Sequence, residues 1–436
     1  MNRFGLYRLP CYRASVLPWI ILAFAAINVI FLGGKRRAFG SFVAQFHKEY
    51  PNISLTELNW IGDSYSAIGY MSTSLSISII IYFNRRYGLF QFLGALWVLI
   101  SCITSSFVPN PHWLFLTHTL FHGIGSSLII STAGLVVNEY FDKKHRYHIL
   151  ATTLVSGGSV ASILFVTLFS KLIEHYGWRK TFIILGIIYF VVCSLAAFFF
   201  KKNKDLKEIS SKGKMLCQGQ WNIKSIQIPL IIFWFTDRIM TSVVTYGLLL
   251  NLTDYVYQGH KDLMKSSILT IIFASGEAVT YLIGSVITAI TKDFFKEKLR
   301  YILLVTSLSM SICLIILEYT SHIVSIRRLL CFFAGFSLGP SITFLFPAGE
   351  EFTRLPGHLA YPVSLGGMGF GMIISPLLTA KIIELLDYRW FFFVQGCFIL
   401  FKSSCLLVNI IILHFFIQKI EEPPQLTDDE KSPLVK

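Results

Sequence analysis

The chain has 436 residues, of which 54% are hydrophobic, 15% aromatic and 14% charged, with a formal net charge of +14. At a mean hydropathy of +0.62 a soluble fold would expose more apolar surface than water tolerates, so the chain belongs in a bilayer. It carries no phosphate-binding loop, metal-ligand spacing or nucleophile–base motif, which argues against an enzyme or a nucleotide-driven pump and implies neither cofactor nor metal.

Apolar stretches long enough to cross about 30 Å of hydrocarbon as helices are predicted at 16–46, 59–83, 89–108, 112–138, 148–174, 180–200, 228–251, 264–291, 299–319, 323–349, 357–384 and 389–417. No alternating strand pattern occurs, which leaves helices as the viable spanning structure. The expected fold is an all-α membrane protein with twelve transmembrane helices in two groups of six. Its parts are an N-terminus at 1–15, a six-helix half at 16–200, a basic linker at 201–227, a second half at 228–417 and a tail at 418–436. The first stretch ends in no small-residue cleavage site and reads as a span, not a signal peptide. The linker carries seven Lys, and the acidic, Pro-containing tail reads as disordered.

With both termini cytoplasmic, the inner segments hold 23 Lys and Arg, against 10 in and beside the outer connections. That asymmetry follows the positive-inside rule. The basic character accordingly reads as contact with an anionic leaflet and not as nucleic-acid binding. Asn52-Ile53-Ser54 and Asn251-Leu252-Thr253 are glycosylation sequons in connections placed outside. The eight cysteines lie mostly within spans and show no paired spacing, so neither a disulfide framework nor a metal site is expected.

A charge at membrane depth is costly unless it faces protein or water, which makes it a functional candidate. Helix 1 contains Lys35-Arg36-Arg37. Successive helical residues differ by about 100°, so the three cannot share one cavity, and some must snorkel or pair. Arg85-Arg86 follow helix 2 in a short basic turn suited to latching an inward gate, or to marking the inner face. Helix 4 carries His118 and His122, for which packing is the simpler reading. Asp237-Arg238 on helix 7 are expected to diverge and pair with different helices as gate or cavity charges. Glu277 stands near the middle of helix 8, and Tyr281 lies one turn on, on the same face.

Residues 157–186 recur at 367–396. Gly157, Ile163, Leu168, Lys171, Ile173, Glu174, Arg179, Phe182 and Gly186 match Gly367, Ile373, Leu378, Lys381, Ile383, Glu384, Arg389, Phe392 and Gly396. Helices 5 and 11 are six spans apart and cross in the same direction, so this is a parallel repeat, the relation between the halves of the major facilitator fold.

Within that fold the chain resembles the monocarboxylate transporter family over nearly the whole transmembrane region. The resemblance rests on Trp60-Ile61-Gly62, Asn84-Arg85-Arg86-Tyr87-Gly88, Asn138-Glu139-Tyr140-Phe141-Asp142-Lys143-Lys144, Tyr176-Gly177-Trp178-Arg179 and Ser375-Pro376-Leu377. The acidic, Gly-rich stretch with which members open helix 1 is replaced by Arg13-Ala14-Ser15-Val16-Leu17-Pro18-Trp19. The resemblance implies a plasma-membrane carrier of a small organic anion, with a co-transported proton and a single-pass ancillary glycoprotein as partners. It places Arg37, in Arg37-Ala38-Phe39-Gly40, where members carry a substrate-site lysine. It gives Glu277 the role of proton acceptor, while Tyr281 stands where members have a carboxylate-binding arginine. A facilitative uniporter of another amphipathic or aromatic solute, and a transporter-like sensor without net transport, are the other readings.

Overall fold

A computed structural model describes residues 16–157, 164–203, 225, 227–260, 268–320 and 323–421. The segment at 1–15, most of the linker and the tail from 422 lie outside the described residues. The first half runs through α1 (Leu17–Glu49), α2 (Leu55–Met71), α3 (Thr73–Tyr82), α4 (Tyr87–Ser106), α5 (Phe121–Tyr140), α6 (His148–Ser156) and α7 (Leu164–Phe199). A 3₁₀ turn at Pro111–Trp113 and a π-helix at Phe115–Leu120 lead into α5. The second half comprises α8 (Gln227–His260), α9 (Ile268–Thr291), α10 (Leu299–Thr320), α11 (Val324–Thr343), α12 (Leu345–Thr353) and α13 (Gly357–Glu421).

Nine helical stretches among the described residues are long and apolar enough to cross a bilayer, and α11 with α12 makes a tenth, bent by 64°. That bend has a local cause. Pro347 offers no N–H to the carbonyl of Thr343 and its ring crowds that carbonyl, so the helix breaks at Phe344. The other two predicted spans are also interrupted. Span 59–83 is α2 and α3, divided at Ser72, and span 148–174 begins as α6 and resumes in α7.

Two helices carry reversals. In α7 the chain turns at Gly177, whose φ of 74° and ψ of 163° suit a residue without Cβ. Trp178 then donates to Glu49 at 2.8 Å, and Arg179 donates to the carbonyls of Ser106 and Val108 at 3.0 and 2.6 Å. The turn is thereby fastened to the ends of α1 and α4. In α13, Ser364 accepts from Trp234 at 2.8 Å, while Asn409 donates to Leu230 at 2.9 Å. Trp234 and Leu230 are one turn apart on α8, so both arms of α13 lie at one depth and the chain doubles back between the apolar stretches ending at Leu386 and starting at Trp390.

The repeat is visible in packing. Gly186 of α7 sits against Cys102 of α4, and its counterpart Gly396 of α13 sits against Ile315 and Ser311 of α10. The third and sixth spans of each half therefore meet in the same way. The halves touch where Gly369 of α13 packs on Met71 and Ala67 of α2, and where Gly157 faces Tyr281 of α9.

Small residues set these distances, as expected where lipid gives helices no hydrophobic reason to associate. A Cβ at Gly335 would lie 1.9 Å from the Phe273 carbonyl oxygen, and one at Gly276 would lie 2.2 Å from that of Phe332. The backbones of α9 and α11 are thus in contact beside Glu277.

Candidate substrate site and gate

The three charges of α1 separate as helix geometry requires. Lys35 is fully buried inside the first half, with its Nζ 3.2 Å from His122 Nδ1 and 3.6 Å from Cys102 Sγ. Arg36 faces between the halves. It donates to the Tyr70 hydroxyl of α2 at 2.9 Å, and its guanidinium lies 5.2 Å from the ring centre of Tyr246 on α8. Asp63 of α2 sits within its electrostatic reach. Arg36 lines a cavity with Leu32, Gly33, Tyr65, Ser66, Tyr70 and Ser126, and among the described residues its Nε has no hydrogen-bond partner. The side chain of Arg37, the residue favoured by the sequence pattern, lies outside the described residues. Nothing in the triplet singles out Arg36; the tyrosines around it come from separate helices.

Glu277 is fully buried on α9 and is not among the residues lining the Arg36 cavity. Tyr281 shares its buried face but spans the interface. Its hydroxyl donates to the Leu154 carbonyl at 3.4 Å, and its ring fills the space above Gly157.

Asp237 and Arg238 correct an expectation. They do not diverge toward different helices. The Arg238 side chain curls back so that Nε donates to Asp237 Oδ2 at 2.6 Å, with a second bond from its terminal nitrogen to the same oxygen. In a low-dielectric interior this pairing outweighs the 100° offset of neighbouring residues, and the long arginine stem reaches around it. The pair is completed from other elements. Arg238 donates to the Ser341 carbonyl at 2.7 Å and lies 4.1 Å over Trp234. Lys402 of α13 stands 4.0 Å from Asp237 Oδ1 and donates to Ser307 and Ser341 at 2.9 and 2.8 Å. The sequence reading missed Lys402, which lies far along the chain from the pair.

A second charge cluster gathers at the predicted inner end. Arg85, in the left-handed region at φ 55°, stands 3.9 Å from Glu139, which also accepts from Tyr87 and from the Asn203 amide. Arg86 is exposed at the start of α4. The second half has its own version. Glu297 and Arg354, both with positive φ, form a two-bond pair at 2.8 Å, and Arg300 approaches Glu297 and Glu351 at 3.8 Å. Partial burial pushes the Glu297 carboxyl up, but the Arg354 hydrogen bonds and the nearby arginine charges outweigh it and hold it below the usual glutamate range. Between the halves, His148 Nε2 lies 2.9 Å from Glu350, and Ser156 accepts from the Phe346 amide at 3.2 Å.

Of the two sequons, Asn52 is exposed in the turn between α1 and α2. Asn251 is not in a connection. α8 continues to His260, and the Asn251 amide donates to the Gly247 carbonyl at 2.8 Å one turn back.

The family model of the Major Facilitator Superfamily matches residues 20–360. Monocarboxylate transporter 2 of Mesocricetus auratus is 25% identical over 201 residues, 45% of this chain and 40% of that protein. Monocarboxylate transporter 4 of Rattus norvegicus is 26% identical over 183 residues, 41% of this chain and 37% of its own length. The chain thus spans about two fifths of the length of these relatives. Among solved structures, the proton:xylose symporter XylE bound to 6-bromo-6-deoxy-D-glucose aligns with a TM-score of 0.66 at 14% identity, covering 91% of this chain and 96% of that one.

Proposed function

We propose that this chain, which belongs to the Major Facilitator Superfamily and is a multi-pass membrane transporter, moves a small organic anion of the monocarboxylate type by alternating access of its two halves. The observation that carries this reading is Arg36, a permanently charged group in a cavity, flanked by a tyrosine from each half and with a donor unspent. A guanidinium holds a carboxylate through two parallel hydrogen bonds, and an arginine at membrane depth is otherwise an expensive residue to keep. Arg37 stands beside it as the second candidate cation. The names of the monocarboxylate transporter relatives point to the same substrate class.

Glu277 is the proposed proton carrier, a buried carboxyl in the half opposite Arg36. His148–Glu350, which joins the halves, is the proposed inner gate, with Arg85–Glu139 and Glu297–Arg354 as clamps within each half at the same end. The proposed setting is the plasma membrane with both termini cytoplasmic, and a single-pass glycoprotein as ancillary partner.

Counterflow of radiolabelled short-chain and aromatic monocarboxylates in proteoliposomes tests the reading. Saturable exchange of at least one is expected, lost in Arg36→Gln. Arg36→Lys keeps the charge but not the fork, which weakens binding by roughly 1.5–3 kcal/mol and raises KM about 10- to 150-fold. Glu277→Gln should abolish acceleration by an inward proton gradient while exchange persists. Absence of exchange for every carboxylate by a monodisperse preparation would overturn the anion assignment.

A further inference from the structure

A basic cluster inside the first half has no part in the anion site. Lys35, His118 and His122 are all fully buried. Lys35 Nζ lies 3.2 Å from His122 Nδ1, and the two imidazole rings are 5.3 Å apart. Among the described residues, neither ring nitrogen of His118, nor Nε2 of His122, has a hydrogen-bond partner. Leaving such groups unbonded costs about 1–3 kcal/mol each. Two leucines would pack this interior more cheaply.

The local backbone is also irregular. His118 sits within the π-helix Phe115–Leu120, a form that is rare and concentrates at functional positions. The groups around the ammonium are Cys102 from α4 at 3.6 Å, Tyr65 from α2 at 5.7 Å, Phe182 from α7 at 5.4 Å, and the two histidines. Tyr189 of α7 faces His122 at 6.5 Å, and Arg36, next on α1, has Asp63 in its field. The groups in contact with Lys35 therefore include bases, a thiol and aromatic rings, and among the described residues no carboxylate is bonded to it.

The Lys35–His122 hydrogen bond needs one donor and one acceptor. With Lys35 as ammonium, His122 accepts at Nδ1 and carries its own hydrogen on Nε2. Charging both would set two cations 3.2 Å apart in a low-dielectric interior. The pair thus holds one shared proton. When the Lys35 N–H bond breaks and an N–H bond forms at His122 Nδ1, the hydrogen on Nε2 becomes free to leave; the next imidazole is His118, its ring centre 5.3 Å away and not bonded to Nε2, so one ring must turn before the proton passes. Each transfer moves one proton and one charge.

We propose that Lys35, His122 and His118 form a proton-binding relay within the first half, separate from Glu277. Tyr65 joins it to the anion site, since its ring packs on both histidines, at 4.6 and 5.2 Å, while it lines the Arg36 cavity. An anion at Arg36 would favour a further proton here. That coupling rests on the anion reading, whereas the proton site itself does not.

The test is infrared difference spectroscopy of the full chain in phospholipid vesicles, with isotope-labelled histidine, titrated downward from about pH 8 through and below the range in which free imidazoles change charge. The parent should show imidazole bands that lose intensity in His122→Gln and in His118→Gln. Lys35→Met should move their midpoint upward by about one pH unit, because a neighbouring positive charge is gone. Glu277→Gln should leave them unchanged, which separates this site from the proposed carboxyl carrier. His118 has no hydrogen bond to lose, so its variant carries the test even where Lys35→Met does not fold. Parent-like bands and midpoints in the His118 and His122 variants would overturn the proposal.

Discussion

Lys35 and Arg36 differ by one position and by their whole environment, one enclosed in the first half and one between the halves. Helical rotation makes such a split compulsory, and the sequence reading states it, but the direction of the rotation is fixed only by what packs on α1. The same limit explains Lys402, which meets Asp237 because the second arm of α13 returns beside α8. The energetics of that triad are those of a buried network, where losing one member strands the others. Asp237→Asn leaves Arg238 and Lys402 without their anion and should cost about 3–5 kcal/mol. A lowered unfolding midpoint in detergent checks this. A midpoint equal to the parent's would mean that the triad is hydrated in the membrane.

At the scale of the element, glycine and proline account for a turn and a break, the break lying inside the span predicted as continuous at 323–349. Gly177 marks a turn that only a residue without Cβ adopts easily, and Pro347 marks the break after Phe344. The glycines of α9 and α11 bring two backbones into contact, and their partners are fixed only by the packing. Gly335→Ala places a methyl group 1.9 Å from a backbone oxygen that has no side-chain freedom. It should separate α9 from α11 and reduce the monodisperse fraction on size-exclusion chromatography, more than Gly366→Ala, where the nearest atom is 3.5 Å away. Helix ends were less legible. α8 overruns its predicted end at 251 because nothing in Leu252–Thr253 stops a helix, so the second sequon falls inside it. Asn52→Gln should therefore abolish any glycan-dependent gel shift, and Asn251→Gln should leave it unchanged.

For the whole molecule, the bond between His148 and Glu350 joins the halves at the end where Arg85–Glu139 and Glu297–Arg354 fasten each half to itself. The two intra-half clamps can persist while the halves rock, but the His148–Glu350 bond must break for that end to open. His148→Ala should shift the population toward that opening. Spin labels at Lys144 and Lys298, both exposed at that end, should report a longer mean distance on a cysteine-free background. An unchanged distance distribution would remove His148 from the gate.

The amino-acid order by itself determined that this chain lies in a membrane as helices, since its hydropathy places it there and the lack of strand alternation leaves helices to satisfy its backbone. It also determined that the chain is built from two parallel halves, because residues 157–186 recur at 367–396 six spans on. Tertiary structure alone decided which partners each charge meets. Hydropathy and repeats are properties of a segment and survive any rotation about the helix axis. Pairing is not: Arg36 gains a cavity, Lys35 an imidazole and Asp237 a distant lysine only when particular faces of separate helices meet.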